Sequence, residues 1–513
     1  MILATVISFL FFIIFDSFYA PKNVNQPVAQ TAEASQANSA PSSATSDSAP
    51  ASSQQTAAPV ATESTTILTT VKFNNTVWNI DALGRVAQVT LKEAQFLDED
   101  HEGLKLFDGQ TTRPLEIRFS DAAVNDEAFK TSYTADQNEV DVTTAPKTLV
   151  LTQKLTALTV SKSFTFFPDG HYDLKVSVTK PVEYFITQGF RPSVQVDMRA
   201  VHGMLVKEFD DTIEIIEDGD ATGYESFRDA KIVSSFDHYY ATFFYNNSFD
   251  VWVNKVGDDD PLGFVKGKQD FAFSGYIGPK YVNVLKGIDP SLIDVVEYGI
   301  FTFMAAPLFT FLDFLHGFTG NWGWAIVILT IVVRLILFPL SAKGMVSMHK
   351  LKELAPKIKE LQRKYKGDPQ KLQAHMMDLY KKHGANPLGG CLPFLLQIPV
   401  FFAIYRVLTN AIELKGAEWF YITDLSLMDP YYVMPVLMGI SMYFQQKITP
   451  SNFTDPMQEK VFKFLPLIFT FFFLSFPAGL VLYWFVNNLL SILQQYIINK
   501  RLETAKVERH EKD

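Results

Sequence analysis

One cation sits where hydrocarbon is expected. Arg334 interrupts the apolar run WGWAIVILTIVVRLILFPL, residues 322–340. About 12 residues into a span, at roughly 1.5 Å each, it lies roughly 18 Å into a hydrocarbon core about 30 Å thick. An arginine near mid-helix costs about 2.5–3.5 kcal/mol even on lenient insertion scales. The bland account is a long stem snorkelling to the nearer interface, roughly 12 Å away. The neighbouring residues favour another. Thr330 precedes Arg334 by one turn and Ser341 follows by two, on the same helical face. Tyr483, Asn487, Ser491 and Gln494 form a second polar stripe at helical spacing, and Gln397 adds an amide to a third apolar stretch. Polar groups at membrane depth face one another or water. Helix packing alone calls for small residues rather than a full charge.

No acidic residue occurs at mid-depth in any of the last five apolar segments, so Arg334 has no ion-pair partner legible in the sequence. A lone cation among amides and hydroxyls implies a water-filled groove inside the membrane. Such a groove lowers the cost of drawing a polar peptide partway into the bilayer, and its cation attracts acidic residues. The driving force is apolar surface leaving water, about 25 cal/mol per Å². Other chemistries find little support. There is no GxxxxGK[ST] phosphate loop, and no cofactor is expected. His101, His171, His202 and His238 are scattered, which suits structural or surface roles better than a sugar-modifying site. The single cysteine, Cys391, excludes an intramolecular disulfide and reads as a buried thiol. With 45 Lys plus Arg against 55 Asp plus Glu, nucleic acid is not the main partner.

The elements that must position these residues follow from patterning. Residues 1–20 are apolar and lack a clean cleavage site, which favours an uncleaved transmembrane anchor over a signal peptide. No basic leader precedes them, so either the start lies upstream or later loops set the orientation. Residues 21–66, rich in Ala, Ser, Thr, Gln and Pro, read as a flexible tether. Residues 67–285 alternate apolar and polar in short runs such as Leu174–Val178 and Ala241–Phe244, broken by turns such as Pro168-Asp169-Gly170. That pattern predicts a large antiparallel β-sandwich. Residues 286–320 suit an amphipathic helix lying on the membrane interface.

Five spans are expected in residues 321–502, at 322–342, 388–412, 431–447, 463–480 and 481–499. The loop 343–383 carries 11 Lys or Arg against four acids, whereas 413–429 has one basic residue and four acids. The positive-inside rule places 343–383, 448–462 and the tail 503–513 in the cytoplasm. With the anchor counted there are six spans, both termini are cytoplasmic and the β domain is outside. Within the loop, Leu351, Leu354, Ile358, Leu361 and Tyr365, then Leu372, Met376 and Leu379 beyond Gly367-Asp368-Pro369, predict a helical hairpin. Its basic surplus suits anionic headgroups, ribosomal RNA or acidic clients alike.

Several ordered motifs resemble the YidC insertases, relatives of the Oxa and Alb insertases. They are Gly320-Asn321-Trp322-Gly323, Arg334, Asn386-Pro387-Leu388-Gly389-Gly390-Cys391, Gln397-Ile398-Pro399, Asp429-Pro430-Tyr431-Tyr432, Asp455-Pro456-Met457-Gln458 and Phe476-Pro477-Ala478-Gly479-Leu480-Val481-Leu482-Tyr483-Trp484. The likeness runs from about 290 to 502; the β domain resembles the Gram-negative form in architecture only. It implies an α-helical polytopic membrane protein with a five-helix insertase core, and a periplasmic β-super-sandwich similar to galactose mutarotase. It also implies a cytoplasm-facing groove in which Arg334 contacts the client, with Thr330, Gln397, Tyr483 and Trp484 at groove positions. Implied partners are nascent membrane proteins, the lipid bilayer and the Sec translocon, and the implied roles are insertion and chaperoning without enzymatic chemistry. Ribosome contact is raised too, although the stretch from Lys500 to the C-terminus, with five bases against four acids, weighs against it. The rival reading is a solute transporter or channel, for which internal repeats and mid-membrane acids are missing from the sequence.

Overall fold

The computed structural model describes residues 66–97, 102–107, 112–192, 194, 200–365, 367–384, 392–449 and 456–510. The expected anchor 1–20, the tether up to residue 65, His101, Cys391 and its motif fall outside them. Contacts divide the chain into two units, Met1–Pro279 and Lys280–Asp513.

The first unit is β-rich, and alternation explains its outer strands. In His171–Val178, Tyr172, Leu174, Val176 and Val178 are buried while Asp173 and Lys175 are exposed. The tight turn before this strand needs a left-handed residue, and Gly170 supplies it at φ 93°. A nine-stranded sheet runs in the order Ile213–Glu217, Gly203–Lys207, Ile232–Phe236, Tyr240–Tyr245, Asp270–Pro279, His171–Val178, Thr159–Phe166, Lys147–Lys154, Thr134–Ala135. Two five-stranded sheets complete the unit. Trp78, from one of them, sits edge-on against Phe166 and Tyr172 of the large sheet, with ring centroids 5.8 and 5.6 Å apart.

Three features depart from the expected sandwich. Ile67–Lys72 pairs in parallel with Glu139–Asp141. A helix, α1 (Ala122–Lys130), is inserted, its first turn capped by the Asp121 carboxylate accepting from the Ala123 and Val124 N–H groups. All six residues of Tyr240–Tyr245 are buried, so this strand is covered on both faces and its apparent alternation carries no inside and outside.

The first unit also buries four charges together. Arg85 pairs with Asp81 at 2.8 Å and with Glu116 at 2.9 Å. Lys162, fully buried, donates to the Gly84 and Leu115 carbonyls at 2.7 Å each. Burial pushes the Lys162 ammonium down to about 7; Asp81 opposes the shift, Arg85 adds to it, and Glu116 opposes it. In the unfolded chain a lysine loses its proton near 10.4. Between those values the unfolded state binds the extra proton, so stability rises with pH across that window. Urea midpoints of this unit are expected to climb between pH 7 and 9.5, and Lys162→Met is expected to flatten the slope. An unchanged slope in the variant would assign the pH dependence to other groups.

The second unit is helical. It opens with α2 (Val282–Ile288), two 3-10 turns (Pro290–Val296 and Gly299–Phe301) and α3 (Thr302–Thr319). The expected single interfacial helix is thus in pieces. Within α3, Ala305, Phe309, Leu312 and Leu315 are buried while Phe303, Phe314 and Phe318 are more than two-thirds exposed. Gly320, at φ 65°, closes α3, and the Asn321 side chain accepts from Trp324 N–H to start the next helix.

That helix, α4 (Trp322–Lys364), runs 43 residues without a break, so the expected span and the first hairpin arm are one element. It returns through α5 (Pro369–Lys382), capped by Asp368, and Leu354 and Ile358 bury against Met376, Leu379 and Tyr380. Then follow α6 (Leu392–Asn410), α7 (Val433–Ile448), α8 (Pro456–Phe473) and α9 (Ala478–His510). Among the described residues two helical segments, Trp322–Lys364 and Ala478–Leu502, are long and apolar enough to cross a membrane by length and composition. The α7–α8 crossing is close: a Cβ on Gly439 would collide with the Thr470 hydroxyl.

The Asp-Pro-Tyr-Tyr motif has a structural task. Asp429 is buried and accepts from Tyr421 Oη at 2.8 Å, Tyr431 N–H at 3.0 Å and Met434 N–H at 2.6 Å, which starts α7. The Ala478 and Gly479 N–H groups donate to Leu427 and Leu425, tying the turn before α9 to the same loop.

Candidate functional site

The site gathers on the inner faces of α4, α6 and α9. Its helices form because apolar runs free of mid-segment glycine leave the backbone no better partner than itself. Arg334 Nη1 donates to Gln397 Oε1 on α6 at 3.5 Å, and Nη2 donates to Ser491 Oγ on α9. Gln397 Nε2 in turn donates to Tyr483 Oη at 3.1 Å. Ser491 Oγ donates to the Asn487 carbonyl at 2.7 Å, which leaves its lone pairs aimed at the guanidinium. A line of polar groups, Tyr483–Gln397–Arg334–Ser491, with the guanidinium set among neutral partners, therefore crosses three helices.

Among the described residues no carboxylate forms an ion pair with Arg334. The contrast is Arg406, near the far end of α6, which faces Glu297 at 3.3 Å. Among the described residues, buried Arg334 Nε finds no protein partner, and neither do Trp484 Nε1 and Gln494 Oε1. Buried polar atoms of this kind are satisfied by water or by a bound group.

The other predicted residues take different parts. Thr330 is buried, but its hydroxyl donates back to the Ile326 carbonyl at 2.7 Å, one turn earlier. It does not join the line. Trp484 packs its ring against Phe401 and Phe473, with centroids 4.8 and 5.3 Å away. Asn487 enters through its backbone carbonyl. Gln494 Nε2 reaches across to Ser341 Oγ at 2.5 Å and the Phe338 carbonyl at 3.5 Å, both on α4.

One pair escaped the sequence reading. Asn488, buried on the side of α9 facing α7, donates to Ser441 Oγ at 3.1 Å. The available signal was a second asparagine beside Asn487 and a lone serine in an apolar helix. Neither fell on the stripe through Tyr483 and Ser491.

Residues 314–506 match the family model described as 60Kd inner membrane protein, and residues 265–311 match the one for the YidC periplasmic domain. The chain is 53% identical to a protein of Wolinella succinogenes named Membrane protein insertase YidC, over 98% of this chain and 95% of that one. A protein of the same name from Campylobacter jejuni is 49% identical over 97% and 95% of the two chains. One from Helicobacter pylori is 48% identical over 99% and 96%.

Proposed function

The chain belongs to the family of YidC membrane protein insertases, and from this premise we propose that clients pass along a groove between α4, α6 and α9 whose fixed charge is Arg334. Its activity is the insertion of membrane proteins, a transfer between phases in which no covalent bond changes. The observation that carries the groove reading is the set of partners around Arg334: a glutamine and a serine, with no carboxylate among the described residues. A cation so placed keeps its charge available to a guest. Thr330, Trp484, Asn487 and Gln494 serve as walls and braces of this groove, with Gln397 and Ser491 holding the guanidinium and Tyr483 holding Gln397.

The client's apolar segment supplies the free energy. Leu, Ile, Phe and Val each favour mid-bilayer by about 0.3–0.6 kcal/mol, so a helical segment commits itself once its polar flank has somewhere wet to pass. Six spans with both termini cytoplasmic and the β unit periplasmic fit the loop charges. The exposed faces of α7 (Val436, Ile440, Phe444) and α8 (Phe464, Leu467, Phe471) support contact with lipid, since water would penalise them. Action alone or beside the Sec translocon, and help in client folding, belong to the same proposal, as does ribosome contact through the basic hairpin.

The test is depletion of the protein followed by protease accessibility of a single-span client. Loss of the protected, inserted form is expected, and normal insertion would remove the groove reading. Deleting residues 67–280 is expected to leave most insertion intact. Abolition by that deletion would move the working site into the β unit.

A further inference from the structure

Helix α9 carries three side chains spaced three residues apart: Asn488, Ser491 and Gln494. At about 100° per residue, successive members are offset by about 60° around the axis. They bind different neighbours. Asn488 donates to Ser441 on α7, Ser491 accepts from Arg334 on α4, and Gln494 donates to Ser341 further along α4. Asn488, Gln494, Ser441 and Ser341 are all buried.

Apolar contacts between helices in lipid fix rotation weakly, because the acyl chains are as apolar as the side chains they replace. Two hydrogen bonds to helices on different sides of one axis act otherwise. Turning α9 one way stretches the bond to α7, and turning it the other way stretches the bond to α4. We propose that Asn488–Ser441 and Gln494–Ser341 are paired rotational stops that set the azimuth of α9 and so hold Ser491 against Arg334. On this account Gln494, which the polar stripe suggests as a client contact, is a positioning residue. The inference rests on the groove reading above.

The experiment measures insertion rates in cells depleted of the native protein and supplied with full-length variants. Two single-span probe clients are used, one with an acidic and one with an uncharged translocated segment. Gln494→Leu and Ser341→Ala are each expected to slow the acidic client about three- to tenfold, and their combination no more than the worse single variant. Asn488→Leu and Ser441→Ala are expected to behave as a second such pair. The uncharged client is expected to be nearly unaffected, and none of these changes is expected to slow the acidic client further once Arg334→Ala is present. The swapped pair Ser341→Gln with Gln494→Ser, which restores a donor facing an acceptor, is expected to recover most of the rate.

Additive losses from Gln494→Leu and Ser341→Ala would make Gln494 a direct client contact and overturn the stop. Equal slowing of both clients would reduce the pairs to general fold support and likewise overturn it. Normal insertion in the depleted cells without any supplied copy would overturn the groove reading and this proposal together.

Discussion

Arg334→Ala is expected to slow insertion of clients with acidic translocated segments on the order of ten- to a hundredfold, a loss of about 1.4–2.7 kcal/mol. The magnitude follows from the surroundings. Two unit charges 4 Å apart attract by about 4 kcal/mol at an effective dielectric of 20 and about 1 kcal/mol in water. A wet groove within a protein lies between those limits. Alanine removes the attraction and also frees Gln397 and Ser491 to bind each other or water, so the groove stays polar. Lysine keeps the charge but not the fork that engages both partners, and partial activity is expected. Clients with neutral flanks are expected to be slowed less than threefold. The check is a pulse-labelled insertion time course for both client types. Equal rates for alanine and wild type on the acidic client would sink the attraction, although hydration of the groove could still stand.

The second large effect is in the β unit and on stability rather than transport. Arg85→Met is expected to destabilise that unit by about 3–5 kcal/mol. Asp81 and Glu116 are nearly inaccessible, and Arg85 is their shared counter-ion at 2.8 and 2.9 Å. Asp81 also accepts from the Leu83 and Arg85 N–H groups at 3.0 Å, so its carboxylate cannot turn away. Without Arg85, Glu116 keeps Arg118 at 2.9 Å, but Asp81 loses its ion pair, and the nearby Lys162 ammonium already faces two carbonyls. The measure is the urea midpoint of this unit in the full chain, read beside the client insertion rate. A large drop in midpoint with insertion preserved is the expected pair of results. A loss below 1 kcal/mol would mean that the cluster relaxes or hydrates.

How much of this was legible beforehand can be argued residue by residue. Arg334 announced itself because a charge in an apolar run is costly wherever the helix points. Gln397, Tyr483 and Ser491 were found for the same reason, and all three meet in one line with it. Their neighbours were harder. Thr330 has the right face by periodicity, yet a hydroxyl can always return to the carbonyl one turn back, and here it does. Which of Asn487 and Asn488 is buried depends on how α9 is turned, a quantity set by α7 and α4 together. The continuity of α4 was hidden because Pro339 and Lys343 mimic a stop at the membrane edge, whereas a helix already formed tolerates one missing hydrogen bond. In the β unit, alternation marked a wet face in His171–Val178, whereas in Tyr240–Tyr245, buried on both faces, the same pattern marked none.

The unbroken course of α4 also has a mechanical side. From Arg334 to Lys364 the helix rises through 30 residue steps, roughly 45 Å at 1.5 Å each. A body gripping the basic tip of the hairpin therefore holds the end of a lever whose short arm is the membrane span. Pro339, lacking an N–H for the Leu335 carbonyl, is a compliant point between the arms, and Pro356 is a second one nearer the tip. Ser341, tied to α9 by Gln494, lies two residues beyond it. Bending at the tip is thus absorbed at a pivot braced against α9, about one and a half turns past the arginine. The hairpin can bend on this pivot while the guanidinium keeps its station.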